Sequence, residues 1–187
     1  MNHPLVLASS SPRRQYLMRE AGFDFTVEKP DVEESFPEEL PVEQVARYLA
    51  NKKAEYFRKD LPNQIIVTAD TVVILDGEIM NKPADRNEAI AMLSRLSGKT
   101  HLVMTGVCIL STEKEESFDD TTEVTFRKLT QEEIEFYVDQ YKPYDKAGAY
   151  GAQDFIGMIA IEKIKGSYFN VMGLPIHKVY EHLKSWV

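Results

Sequence analysis

The stretch Leu5-Val6-Leu7-Ala8-Ser9-Ser10-Ser11-Pro12-Arg13-Arg14 decides the fold class. An apolar run gives way to serines and then a proline, which reads as strand, tight turn and helix start. Ser11 is placed to cap the helix, since its hydroxyl can accept from an orphan N–H of the first turn. Pro12 suits the first helical position, where no N–H is needed. Arg13 and Arg14 are the anomaly. Two cations stand at the positive end of a helix dipole, where carboxylates are favoured. Arg14 also aligns with Leu17, Met18 and Ala21 at helical spacing and so points partly inward. A polyanion held there by N–H groups, hydroxyls and guanidiniums resolves the anomaly. Acidic partners within the protein resolve it equally well.

Outward from that stretch the chain keeps alternating. The first helix runs from about Pro12 to Ala21 and Gly22 closes it. A short strand is expected within Phe23–Glu28, then an acidic, proline-bounded loop from Pro30 to Glu39. Val42, Val45, Ala46, Leu49 and Ala54 give a helix over Val42–Phe57 its apolar face. At ~100° per residue, Lys53 projects within about 20° of Val42, so it either snorkels outward or meets a buried anion. Gln64–Leu75 is β-branched and reads as a buried strand, bent near its middle. Asp76-Gly77 signals a hairpin with Glu78–Met80 returning. Asp85 caps a helix to Leu96, with Gly98 past its end. Strands follow over His101–Leu110 and Thr121–Lys128, with Glu113–Glu116 a solvated loop between them. Thr130 and Glu133 form a capping box for a helix to Tyr141. Ala147-Gly148-Ala149-Tyr150-Gly151 is too glycine-rich for a regular element and allows close backbone approach to a ligand. Phe155–Ile164 reads as a strand with a turn at Lys165-Gly166, and a last helix runs from near Gly173-Leu174-Pro175 to Ser185. The alternation predicts an α/β chain.

Bulk properties narrow the classes. The 187 residues carry 22 basic and 30 acidic side chains, a net charge of −8. That argues against a phosphate-tracking surface for a nucleic acid polymer, but not against a small anion held by a local cationic cluster. The single Cys108 excludes an intramolecular disulfide, and its apolar neighbours make it a core residue. No apolar run approaches the ~20 residues of a membrane span, and no secretory signal is visible. A cytoplasmic protein is expected.

Asp70 interrupts the apolar strand, and a buried carboxylate is costly unless it is hydrogen-bonded, paired or metal-bound. It reads either as a functional acid presented by the sheet or as a structural or edge aspartate. Glu33 or Glu34 could complete with Asp70 an oxygen-ligand site for Mg²⁺, which takes one or two carboxylates plus phosphates and water. The four histidines are scattered and make no zinc motif, and neither a P-loop nor a Gly-x-Ser-x-Gly sequence is present. Arg13, Arg14, Lys53 and Lys82 each occupy an odd place; jointly they suggest a pocket for a triphosphate beside an acidic pair.

These segments resemble the Maf family of nucleotide pyrophosphatases. The likeness runs through Leu7–Arg14, Ala69-Asp70-Thr71-Val72-Val73, Asn81-Lys82-Pro83 and Leu96–His101. It continues through Val124-Thr125-Phe126, Asp145–Gln153, Gly166-Ser167-Tyr168 and Val171–Pro175. The resemblance implies one Maf-like domain over residues 1–187, a two-lobed α/β fold with a mixed sheet and flanking helices. It is related to other house-cleaning nucleoside triphosphate pyrophosphatases, with the active-site cleft between the lobes. It implies hydrolysis of dTTP and UTP to the monophosphate and pyrophosphate with a divalent metal, Mg²⁺ or Mn²⁺, and leaves modified pyrimidine nucleotides open as substrates. It assigns proton acceptance to Asp70, substrate specificity to Arg13, Thr71 and Gln153, phosphate contacts to Ser9, Arg14, Lys53 and Lys82, and the metal to Glu33 with Asp70. Thr71 and Gln153 could read the pyrimidine edge, since an amide both donates and accepts. A nucleotide-binding regulator of septum formation with incidental hydrolysis is the alternative. The expected partner is a small nucleotide, with no nucleic acid polymer, no membrane, and a homodimer left open.

Overall fold

The computed structural model describes residues 3–61 and 63–186. Its strands are β1 (Leu5–Leu7), β2 (Thr26–Val27), β3 (Ile65–Leu75), β4 (Glu78–Met80), β5 (Thr100–Leu110), β6 (Glu115–Phe126) and β7 (Ile161–Lys165). Its helices are α1 (Pro12–Glu20), α2 (Val42–Phe57), α3 (Arg86–Leu96), α4 (Gln131–Tyr141), α5 (Phe155–Ala160), α6 (Tyr168–Met172) and α7 (Ile176–Lys184). The seven strands make one sheet in the order β2-β1-β3-β5-β6-β7, with β4 paired to β3. β1 runs parallel to β2 and β3, whereas β3–β4 and β6–β7 are antiparallel, so the sheet is mixed. No helix among the described residues is long and apolar enough to cross a membrane.

Local chemistry explains most of these boundaries. Ser11 is the N-cap of α1, accepting the Arg14 N–H at 3.5 Å, and Pro12 opens the helix. Gly22 closes it at φ +82°, with the Phe23 N–H returning to Met18 C=O at 3.1 Å. Asp76 and Gly77 both take positive φ, which gives β3 and β4 the turn that matches their twist. Asp85 caps α3 through the Glu88 N–H at 2.9 Å, and the Thr130–Glu133 capping box opens α4.

The chain divides into two compact units. The first comprises Met1–Thr71, Thr105–Asp120 and Gly173–Val187; the second comprises Val72–Met104 and Thr121–Met172. In the first, α2 lays Ala50, Ala54 and Phe57 into a core with Val6, Ile66 and Cys108. The approach is close: a methyl on Gly106 of β5 would overlap the backbone of Ala46 and Arg47. Cys108 is a core residue, as expected, and burial pushes its thiol up to about 11. In the second unit Leu75, Leu93, Leu96, Phe126, Tyr137 and Ile156 anchor the core.

The structure departs from the sequence reading at several points. β3 passes through Asp70 without a break, and Asp70 is buried rather than exposed at a sheet edge. β6 begins at Glu115, inside the run read as a loop. Its charges are matched rather than merely solvated: Arg58 meets Glu115 at 2.7 Å and His182 meets Glu116 at 2.7 Å. Phe155–Ala160 is helical, not strand; Ile156, Gly157 and Ala160 bury themselves at helical spacing. A six-residue apolar run carries too little periodicity to separate the two states. The strand proper, β7, begins at Ile161, where charged residues interrupt the apolar run. α6 was not anticipated. Gly148 does allow close approach, but the nearest atoms belong to Val73, so the fit is to the protein itself.

Candidate active site

Three elements of the first unit bring a charged cluster together. α2 buries Val45, Ala46, Leu49, Ala50, Lys53 and Ala54 on one face, which places the Lys53 ammonium inside. β3 presents Asp70 from the sheet opposite. The Lys53 Nζ donates to Asp70 Oδ1 at 3.1 Å and to Glu34 Oε1 at 2.9 Å. Lys53 therefore meets a buried anion rather than snorkelling outward. The pair is dry on one side only. Side-chain exposure is 10% for Lys53 and 12% for Asp70, against 44% for Glu34.

The neighbouring Lys52 tethers the same acidic loop, donating to the Ser35 carbonyl at 2.8 Å and the Ser35 hydroxyl at 2.9 Å. Of the two neighbouring loop acids it is Glu34 whose carboxylate meets Lys53, although both residues are exposed. An irregular loop has no period from which a one-residue choice could be read.

β1 and α1 contribute the opening serines and arginines. Ser9 is buried; its hydroxyl accepts the Ser11 N–H at 3.2 Å and an Arg14 Nη1 proton at 3.4 Å. Arg14 is half-buried, with its guanidinium turned to the protein. Nε donates to Gly173 C=O at 2.8 Å, Nη1 also to Ala69 C=O at 2.9 Å, and Nη2 to Thr71 Oγ1 at 3.0 Å. Burial pulls this guanidinium below its ordinary value; Asp70 opposes that, Arg13 adds to it, and Glu34 opposes it. Arg13 is half-buried alongside. The helix-terminus anomaly is thus answered by carbonyls, hydroxyls and the field of Asp70 and Glu34, with no direct carboxylate contact to Arg14 among the bonds described.

Thr71 holds a position that sequence could not reveal. Its hydroxyl lies 2.8 Å from the fully buried Thr105 hydroxyl and 3.2 Å from Gly173 C=O, besides accepting from Arg14. Thr105 carried no signal, because a threonine in a strand is ordinary.

Lys82 and Gln153 lie in the second unit, Lys82 exposed and Gln153 half-buried. Among the described residues the buried Gln153 Oε1 has no hydrogen-bond partner. Its loop is pinned on both flanks. The Tyr137 hydroxyl accepts the Gly151 N–H at 3.2 Å and donates to Asp154 Oδ2 at 2.9 Å. The Tyr150 hydroxyl meets His101 Nε2 at 2.6 Å. Tyr137 is fully buried on the inner face of α4, and a tyrosine in a helix gives no sign in the sequence of what its hydroxyl holds.

The Maf-like protein family matches the chain over residues 4–186. The chain is a member of that family. Curated relatives named dTTP/UTP pyrophosphatase share nearly its whole length. The Bacteroides thetaiotaomicron protein is 47% identical, covering 97% of this chain and 95% of that protein. The Porphyromonas gingivalis protein is 48% identical, covering 98% and 94% respectively. Among solved structures, the Staphylococcus aureus Ham1 protein superposes with a TM-score of 0.57 at 16% identity, over 98% of this chain and all (100%) of that one. The Coxiella burnetii HAM1 protein gives 0.54 at 14% identity, over 98% and 99%. At such low identity this likeness speaks for the fold alone, which this Maf-family chain shares with the Ham1 proteins.

The donor set bears on a metal. Among the described residues no group of three or more His, Cys, Asp or Glu side chains comes together. The carboxylates of Asp70 and Glu34 nevertheless converge on one cation, the Lys53 ammonium. Two hard oxygen donors aimed at a shared positive centre fit a hard divalent cation that completes its shell with phosphate and water.

Proposed function

We propose that this protein is a nucleoside triphosphate pyrophosphatase that hydrolyses dTTP and UTP to the monophosphate and pyrophosphate. The observation that carries the reading is the buried Asp70 paired with Lys53 at 3.1 Å, in a chain about half identical to dTTP/UTP pyrophosphatases over nearly its full length. The family match across residues 4–186 supports one functional domain. In the proposed reaction a water oxygen attacks the α-phosphorus and the bond to the bridging oxygen breaks. Pyrophosphate leaves with that electron pair, and Asp70 takes the proton from water. Arg13, Arg14, Lys53 and Lys82, with the Ser9 hydroxyl, meet the phosphate oxygens and offset the charge that grows on the leaving group. Asp70 with Glu34 or its neighbour Glu33 would hold the divalent cation. When bound, that cation supplies Lewis-acid polarisation of a phosphoryl oxygen.

Gln153 is proposed to read the base. Its buried acceptor Oε1 asks for an N–H, and its amide group donates, which matches the alternating donor and acceptor edge of thymine or uracil. Arg13 and Thr71 are proposed to add to specificity, Thr71 through its bond to the Arg14 guanidinium rather than by touching the base. A cytoplasmic location goes with a nucleoside triphosphate substrate; sedimentation velocity decides the homodimer.

Incubation with a panel of purine and pyrimidine triphosphates, each with Mg²⁺ or Mn²⁺, tests the proposal. Pyrophosphate release with preference for dTTP and UTP is expected. Tight binding without turnover, or a purine preference, overturns it.

A further inference from the structure

The Thr71 hydroxyl has one proton and two lone pairs. Three partners surround it: Arg14 Nη2 at 3.0 Å, Gly173 C=O at 3.2 Å and Thr105 Oγ1 at 2.8 Å. A guanidinium only donates and a carbonyl only accepts. The proton of Thr71 therefore goes to Gly173, one lone pair receives Arg14, and Thr105 fills the other as a donor. The hydroxyl is then saturated by the protein, so Thr71 acts on a ligand through Arg14 rather than by contact.

The same count applies to Arg14. Its bonds to Gly173, Ser9, Ala69 and Thr71 use all but one of the five guanidinium N–H groups, and the remaining one is on Nη2. Nη2 is planar, so the bond to Thr71 fixes the direction of its second proton. Thr105, fully buried in β5, holds the Thr71 acceptor in place.

We propose that Thr105 is a positioning residue for phosphate recognition: its hydroxyl locks Thr71, and Thr71 aims the last free N–H of Arg14 at a phosphate oxygen. This rests on the reading of Arg14 as a phosphate contact. Thr71, Thr105 and Gly173 are three of the four residues at which the chain enters or leaves the first unit, so the lock ties its three segments to one guanidinium.

Thr105→Val keeps the side-chain shape and removes the hydroxyl; Thr105→Ser keeps the hydroxyl. Affinity for inorganic tripolyphosphate, measured by titration calorimetry, should fall about tenfold in the valine variant and stay near wild type in the serine variant. KM for dTTP should rise by the same factor with a smaller change in kcat. A merely structural role would lower the melting temperature and the active fraction, moving kcat but not the tripolyphosphate affinity. Thr105→Ala serves the same comparison if the valine variant fails to fold. Unchanged affinity in the hydroxyl-less variant overturns the proposal, as does a serine variant as weak as the valine one, or a wild type that does not bind tripolyphosphate. A wild type that binds tripolyphosphate but leaves dTTP and UTP intact overturns the pyrophosphatase reading alone, and the affinities still decide the role of Thr105.

Discussion

Replacing Lys53 by Met removes the cation that two carboxylates share, and the two arms of that pairing are unequal. The ammonium lies 2.9 Å from Glu34 Oε1 and 3.1 Å from Asp70 Oδ1, but Glu34 is 44% exposed and Asp70 only 12%. Released from Lys53, Glu34 is rehydrated where it stands, so its arm contributes about 0.5 kcal/mol. Asp70 has no such recourse. A largely buried carboxylate stripped of its direct cation costs about 3 kcal/mol, and the methionine stem replaces most of the lost packing. Asp70→Asn is the opposite case. The ammonium keeps Glu34, and the amide oxygen still accepts from Nζ, so stability falls by about 1 kcal/mol. Turnover should fall far more, on the order of a thousandfold, because the proposed proton acceptor is gone. The double variant should be more stable than Lys53→Met alone, since an amide then replaces the uncompensated charge. Urea unfolding of the wild type and the three variants measures the cycle, and pyrophosphate release measures turnover. A Lys53→Met midpoint equal to wild type would refute the reasoning, as would an Asp70→Asn variant as unstable as Lys53→Met.

Other expectations follow from single contacts. His101 is almost fully buried, with Nδ1 unpartnered, and burial pulls it down to about 4. It is neutral in the fold while the unfolded chain takes up a proton below about 6.5. Stability is therefore full above that pH and declines by about 3 kcal/mol as pH falls toward 4. Urea midpoints from pH 7 to 4 should show that decline in wild type and a shallower one in His101→Gln; parallel curves would contradict it. Tyr137→Phe leaves the Gly151 N–H and Asp154 without their shared hydroxyl, and should lose about 1 to 2 kcal/mol by thermal melting. It should also narrow the preference for dTTP over CTP in competition assays, because Gln153 sits in the loosened loop. Gly106→Ala drives a methyl into the backbone of Ala46 and Arg47 and should cost about 3 kcal/mol, read as a lowered melting temperature.

What was legible in the sequence is what local chemistry controls. Ser11 with Pro12, Asp85, Thr130 with Glu133, and Asp76-Gly77 each satisfy backbone groups within a few residues, so their boundaries follow from neighbours alone. Lys53 was placed on the buried face of α2 because helical periodicity is also local. Its partner was not. The choice of Glu34 depends on an irregular loop held 17 residues away by Lys52 on Ser35. The helical state of Phe155–Ala160 failed for a different reason: six apolar residues fit either period, and the decision lies in how Gly157 packs against Ala152. Thr71 is the extreme case. Its bonding partners are 57, 34 and 102 residues distant, and no local rule connects them.

That contrast bears on how the opening arginines divide their work. At a helix N-terminus a guanidinium meets both the helix dipole and its own desolvation. Arg14 offsets those terms by giving four of its five N–H groups to carbonyls and hydroxyls of the protein, within the field of Asp70 and Glu34. A guanidinium so engaged cannot fork around a phosphate with two parallel bonds, the geometry that makes arginine strong at such sites. It offers one directed N–H and a fixed charge. One directed N–H orients a bound phosphate and contributes about a tenfold share of its affinity, but it is not the whole of the attraction. The bulk attraction for a triphosphate then has to come from the other cations proposed for the site, Arg13, Lys53 and Lys82. Of these, Lys53 already neutralises Asp70 and Glu34. Arg13, Arg14 and Lys53 outnumber the carboxylates of Asp70 and Glu34, so the cluster keeps a surplus of positive charge for a triphosphate, and a divalent cation arriving with it lessens the repulsion between the phosphates and those carboxylates.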